Sequence, residues 1–328
     1  MSMPGAASAG TRFPCIRSMQ TRTLKYGAAA ALASAAFVLE RSWRAERTNL
    51  PIGRFIDVDG VRVHYVERGA GTPLVMLHGT GSLLEELRMS GLYELACARY
   101  RVIILDRPGY GHSSRPRRSW WGPRAQATLL RSMLTQLGVE RPIVFGHSFG
   151  ALVAMTYALE YPAAVRSLVL AGGYYFPTGR LDVPVMAPPA IPLIGDVLRH
   201  TISPILGRAL LPRLVRRVFR PAPVPRYFME RFPVWMALRP SQLRAAAEEA
   251  ALLIPSTLRL QRLYSALEVP ALVVAGAQDH YVDHLRHSVE LSRRIPRGEL
   301  MLLPRAGHMV HHVEPRRVLQ AIEAAAAR

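Results

Sequence analysis

Gly146-His147-Ser148-Phe149-Gly150 follows a short apolar run, Ile143-Val144-Phe145, and precedes a helical stretch. A serine with glycine two positions to either side suits a sharp strand-to-helix turn, because only small neighbours let the chain reverse so tightly. Ala151 adds a third small residue there. Such a turn lifts the hydroxyl clear of a sheet and aims the next amide, that of Phe149, at the reacting centre. The chemistry it serves is acyl transfer. A serine hydroxyl is a weak nucleophile and needs a base, and the base needs a carboxylate to orient it and stabilise its cation. His308, in Gly307-His308-Met309-Val310, comes after the last apolar run of the chain, and Asp279, in Gly276-Ala277-Gln278-Asp279, comes just past the run at Leu272. Asp283 is the rival acid; Asp279 is preferred because it sits nearer the strand end. His311 and His312 are rivals for the base, and read as helix-start or surface histidines because they begin the next segment. His147 reads as packing under the turn, and His64 and His112 as structural.

The tetrahedral intermediate of acyl transfer carries an oxyanion, which needs two preorganised N–H donors; losing one costs ~10²–10³ in rate. Phe149 supplies the first. His78-Gly79-Thr80-Gly81-Ser82 follows another apolar run, and the amide of Thr80 is the second donor it offers. His78 is expected to hold this loop rather than to transfer protons. No metal or organic cofactor is implied: the mechanism needs only Ser148, His308, Asp279 and the two amides, with Gly79, Gly146 and Gly150 shaping the loops.

These residues must be brought together by the elements that precede them. Short continuous apolar runs at Leu74-Val75-Met76-Leu77, Val102-Ile103-Ile104-Leu105, Ile143-Val144-Phe145, Leu168-Val169-Leu170, Leu272-Val273-Val274 and Leu300-Met301-Leu302-Leu303 suit strands buried on both faces, as in a parallel sheet. Before them, Phe55-Ile56-Asp57-Val58 and Val61-Arg62-Val63-His64-Tyr65-Val66 flank Asp59-Gly60, a hairpin signature. Helical stretches at about 85–97, 123–137, 149–160, 283–294 and 315–327 alternate with the runs, so the class is α/β. Residues 55–173 and 251–328 form the expected core. Between them, residues 174–250 hold 12 of the 26 prolines and no buried-strand run, which predicts an inserted cap of short helices. Val183, Val185, Met186, Ile191, Met229, Phe232 and Trp235 of that segment predict an apolar pocket, hence a small-molecule substrate that is an apolar acyl or aromatic ester.

The His78-Gly79 loop, Asp106-Arg107-Pro108-Gly109-Tyr110-Gly111-His112-Ser113, the turn at Ser148, Asp279 and His308 together resemble the α/β-hydrolase superfamily, over about residues 55–328. Within it the chain looks like bacterial esterase and haloperoxidase-like members with a helical cap. The resemblance implies a mostly parallel central sheet with helices on both faces, and a serine hydrolase. The chain departs from the epoxide-hydrolase and haloalkane-dehalogenase pattern, which places aspartate where Ser148 stands, and from the His-Gly-x-Gly-Pro-Gly loop of carbon–carbon bond hydrolases. Perhydrolysis or acyl transfer by the same triad is the enzymatic alternative. A membrane-tethered, hydrolase-like binding protein is the non-enzymatic one.

The formal net charge is +19, nearly all of it from arginine. Such a surface favours an anionic partner; a membrane surface is preferred over nucleic acid, for which no motif is present. Residues 1–54 stand apart. Arg12, Arg17, Arg22 and Lys25 precede the uncharged, alanine-rich run 26–39, a pattern of signal sequence or membrane anchor, although a spanning helix needs about 20 apolar residues. A helix packed on the domain is the third reading. Membrane-anchored or exported is therefore expected over plain cytoplasmic. Cys15 and Cys97 have no metal-ligand spacing, and a disulfide between them is not expected because Cys15 precedes the folded region. Oligomeric state is left open.

Overall fold

Eight strands form one sheet: β1 (Arg54–Val58), β2 (Val61–Arg68), β3 (Pro73–Leu77), β4 (Arg101–Leu105), β5 (Ile143–His147), β6 (Ser167–Ala171), β7 (Ala271–Gly276) and β8 (Gly298–Leu303). The structure is a computed structural model and describes residues 16–117, 119–179 and 183–328. Strand order is β1-β2-β4-β3-β5-β6-β7-β8. The hairpin pair β1–β2 and the pair β2–β4 are antiparallel, and all other neighbours are parallel. The apolar runs are continuous because each central strand feeds two cores. On β3, Val75 and Leu77 face one core while Leu74 and Met76 face the other; on β5, Val144 opposes Ile143 and Phe145 in the same way.

The helices are α1 (Ile16–Thr48), α2 (Leu84–Met89), α3 (Gly91–Cys97), α4 (Pro123–Gln136), α5 (Phe149–Glu160), α6 (Val183–Met186), α7 (Ile194–His200), α8 (Ile202–Phe219), α9 (Arg226–Arg231), α10 (Val234–Ala237), α11 (Pro240–Leu260), α12 (Glu290–Arg294), α13 (Val310–Val313) and α14 (Pro315–Ala326). Helices α4 and α5 cover one face of the sheet, and α2, α3 and α14 the other. Six helices, α6 to α11, lie between β6 and β7. The last of them, α11, runs past residue 250, where the sequence reading ended the insertion, and Leu253 and Leu260 join the main core. Its amphipathic pattern continues without a break, so no boundary signal falls at 250.

The N-terminal segment, expected as an anchor or a cleaved signal, is helical from Ile16, the first described residue. Helix α1 is continuous over 33 residues, but none of the described helices is long and apolar enough to cross a membrane. Its C-terminal half packs on the domain. Val38 and Ala45 are buried, Phe37 meets the Trp235 ring edge-on at 5.8 Å, and Glu46 pairs with Arg239 at 2.6 Å. The packed-helix reading is the one these contacts match. Cys15, and with it the Cys15–Cys97 question, lies outside the described residues.

Candidate active site

Ser148 sits between β5 and α5 with φ 54° and ψ −118°, a region that non-glycine residues avoid. The surroundings enforce this conformation. A Cβ on Gly146 would collide with the backbone of Gly150 and Ala151, and one on Gly150 with the carbonyl oxygens of Leu77 and His78. The Ser148 amide donates to the Ala171 carbonyl at 2.9 Å, which ties the turn to the end of β6. Strain of order 1–3 kcal/mol is held at functional turns in this way.

Asp279 and His308 lie beyond the ends of β7 and β8, and backbone bonds join their loops: Ala277 N–H donates to Leu303 O at 2.9 Å and Gln278 N–H to Ala306 O at 3.0 Å. His308 Nδ1 donates to Asp279 Oδ2 at 2.8 Å, which leaves Nε2 as the basic nitrogen of the neutral ring. The other carboxylate oxygen, Oδ1, accepts the amides of Tyr281 and Val282, both at 2.8 Å. Burial works to raise the Asp279 carboxyl, but His308 and these two amides outweigh it and hold it below the usual range. The rival, Asp283, accepts the amides of Leu285 and Arg286 instead and caps the turn that follows it.

Ser148 and His308 line one cavity of about 130 Å³, walled by Leu211, Leu214, Val215 and Val218 of α8 together with Phe228 and Phe232. A smaller lobe of about 40 Å³ is lined by Ser148, Phe149, Thr80, Val183, Met186 and Leu253. The two lobes share Ser148, Thr80 and Tyr281, so the serine stands where they meet. Phe149 is the first residue of α5, where helix geometry leaves the N–H without an intrahelical acceptor. Of the pocket residues expected from the sequence, Val183, Met186 and Phe232 line these lobes. Ile191 and Met229 are exposed and Trp235 packs against α1, because short proline-cut helices give no periodicity long enough to tell the inner face from the outer. The side chain of Val185 lies outside the described residues.

His78 is fully buried: its Nδ1 bonds the Gly79 carbonyl at 2.8 Å and its Nε2 accepts the Arg107 amide at 3.1 Å. Burial, reinforced by the Arg107 charge, lowers it to about 4, so it is neutral and holds the loop. His147 Nε2 donates to the His308 carbonyl at 3.1 Å, and burial, then the neighbouring imidazoles of His311 and His308, push its protonation well below the usual range. His64 meets Asp106 at 2.7 Å, and His112 bonds the Asn49 carbonyl at 2.9 Å.

Two groups escaped the sequence reading. Glu249 of α11 is fully buried and accepts from the Thr80 hydroxyl at 2.6 Å, the Tyr110 hydroxyl at 2.7 Å, the Gln126 amide at 3.1 Å and the Arg107 guanidinium. An acidic pair, Glu248-Glu249, inside an alanine-rich helix was the available signal. The second group corrects the surface reading of His311 and His312. Both are buried, and both donate through Nε2 to Glu86 Oε1, at 2.5 and 2.7 Å. Among the described residues this is the one group of three metal-ligating side chains with their ligand atoms within 4.8 Å of one another, and both histidine–carboxylate separations are hydrogen-bond distances. Burial works to raise the Glu86 carboxyl, and the two imidazoles hold it well below the usual range. The His311 ring packs tilted against that of His147 with centroids 4.4 Å apart, so this cluster buttresses the segment that carries His308.

Comparison with known proteins agrees with this architecture. An uncharacterised protein of Mycobacterium tuberculosis is 26% identical over 291 residues, covering 83% of this chain and 80% of that protein. An esterase from Exiguobacterium antarcticum superposes with a TM-score of 0.70 at 21% identity, over 84% of this chain and 100% of that one. A structure described as a membrane phospholipase A, a bacterial virulence factor, superposes with a TM-score of 0.63 at 24% identity, over 94% of this chain and 97% of that one. At these identities the structural matches show the fold alone. The family model for the alpha/beta hydrolase fold matches residues 72–315, and the chain belongs to that family.

Proposed function

We propose that the protein is a serine hydrolase that cleaves a carboxylic ester, or a related acyl bond, through an acyl-enzyme on Ser148. The observation that carries this reading is the 2.8 Å bond from His308 to Asp279 beside the cavity that Ser148 enters on its strained turn. Ser148 Oγ attacks the carbonyl carbon as His308 Nε2 takes its proton. The amides of Phe149 and Thr80 face the oxyanion. Collapse expels the alcohol, which leaves with the proton from His308. Water then attacks the acyl-enzyme, with His308 again as base, and the acid and the free serine result. Asp279 orients the imidazole and stabilises its cation.

The insertion that begins at residue 174 sets substrate choice in this reading. Its α8 and α9 supply the apolar wall of the larger lobe, which suits an apolar acyl or aromatic group. A fluorophosphonate probe on the full chain is the test: it labels the wild type at Ser148 and leaves Ser148→Ala unlabelled. A folded wild type that takes no label, or equal labelling of the variant, rejects the assignment.

A further inference from the structure

We infer that the chain docks on an anionic lipid surface through one face, made of the loop before α7 with the start of α7, the outer stripe of α8 and residues 25–33 of α1. Soluble proteins seldom expose a contiguous apolar patch, and a large one marks an interaction surface. Here Ile191, Leu193, Ile194 and Val197 are all exposed, Leu193 at 80%, and its φ of 65° puts it at the tip of a tight turn. The neighbouring α8 continues the patch with Ile202, Ile205, Leu206 and Leu210. These residues are not a displaced core, because the opposite side of α8 already buries Val215 and Phe219 against Phe228 and Met309.

Helix α1 lies beside α7, α8 and α10. Its C-terminal half is anchored on the cap, whereas residues 25–33 are exposed throughout, with Tyr26 and Leu32 among alanines and no acid. The uncharged stretch is too short to span a bilayer, which leaves it suited to lying in the headgroup region.

Charge selects the occupant. Along one exposed stripe of α8, Ile202, Leu206 and Ala209 give way at helical spacing to Arg213 and Arg216. A second copy of the chain seated on this face would oppose arginine with arginine, in a protein of net charge +19. An anionic lipid layer instead offers phosphates to the guanidinium groups and acyl chains to the apolar half of the stripe. The same helix walls the Ser148 cavity, and Leu214 both lines that cavity and is 41% exposed, so the cavity opens next to the docking face. Docking itself does not depend on catalysis; only the corollary, that an acyl ester enters from the lipid layer, rests on the proposed hydrolase reading.

Co-sedimentation of the full chain with phosphatidylcholine vesicles, with and without phosphatidylglycerol, tests the inference. Binding is expected to the anionic vesicles, at least tenfold weaker to the neutral ones, and weakened by salt. Leu193→Asp/Ile194→Asp and Arg213→Gln/Arg216→Gln are each expected to lose tenfold or more while keeping the wild-type thermal midpoint, and Ser148→Ala is expected to bind like the wild type. No binding to anionic vesicles, or undiminished binding by both double variants, overturns it. So does a wild-type dimer that Leu193→Asp/Ile194→Asp converts to monomers, since the face would then join two chains.

Discussion

Replacing Glu249 by glutamine changes one atom type and removes one charge, and its cost follows from what that charge does. The side chains of Arg107 and Glu249 are 1% and 0% exposed. Arg107 also donates to the His78 carbonyl at 2.8 Å and to Gln126 at 2.9 Å, so the guanidinium cannot turn toward water without breaking the loop that it supports. In Glu249→Gln it stays buried without a counter-charge, and with the amide oxygen kept toward Arg107 and Gln126 the new N–H₂ takes the place of Oε2 and opposes the Tyr110 and Thr80 donors that point at it. Breaking a buried pair from one side costs roughly 3–5 kcal/mol, against a total stability of about 5–15 kcal/mol. An exposed pair would cost under about 1 kcal/mol. The assay is the urea midpoint by circular dichroism, measured beside the double variant Arg107→Met/Glu249→Leu, which removes both charges and should be less destabilised than the single change. Thr80 loses its acceptor as well, so kcat on an aryl ester should fall, by up to ~10², with KM less affected. A single variant within about 1 kcal/mol of wild type, or a double variant that is worse than the single, refutes the argument.

Asp279→Asn should lower kcat by ~10³–10⁴, because the amide favours the wrong imidazole tautomer; Asp283→Asn, whose carboxylate caps a turn and pairs with Arg286, should change it less than about threefold, and rates of aryl ester hydrolysis compare the two. Acid should begin to destabilise the fold above the ordinary carboxylate range. His78 is depressed from the usual 6.5 to about 4, so between those values the unfolded chain binds a proton that the folded chain refuses, and stability falls as pH falls through that window. The contribution is about 3 kcal/mol for His78 at 1.36 kcal/mol per pH unit, and His147, depressed for the same reason, adds to it. Urea midpoints that stay constant from pH 7 to pH 5 would count against this.

The strands and the turn at Ser148 were legible because each is dictated locally. A strand buried on both faces has to be a continuous apolar run, and Gly146 and Gly150 are needed wherever a serine sits in that turn. Asp279 could be told from Asp283 by its distance from a strand end, since loops at that edge converge. His311 could not be placed, because its burial depends on Glu86, 225 positions away in the chain, and a histidine next to a helix start looks the same in sequence whether or not a carboxylate awaits it. Glu249 was hidden for the same reason. Ile191 and Met229 misled because apolarity says only that a residue avoids water, and the outer face of this cap exposes such residues.

Two buried carboxylates, Glu249 and Glu86, account for how a strained serine is held in register with its partners. Glu249 reaches from α11 to the Thr80 loop on one side of Ser148, and Glu86 reaches from α2 to the segment after His308 on the other. Removing a carboxylate from water is unfavourable unless nearly every acceptor site is filled, and both carboxylates are multiply bonded, Glu86 also taking the Ser82 hydroxyl at 3.2 Å. A loop that shifted by an ångström would strand a buried charge, so each cluster penalises displacement far more steeply than apolar packing alone. The two carboxylates thereby fix the spacing between the Thr80 loop, Ser148 and His308, and the precision of the site resides in these buried electrostatic clusters.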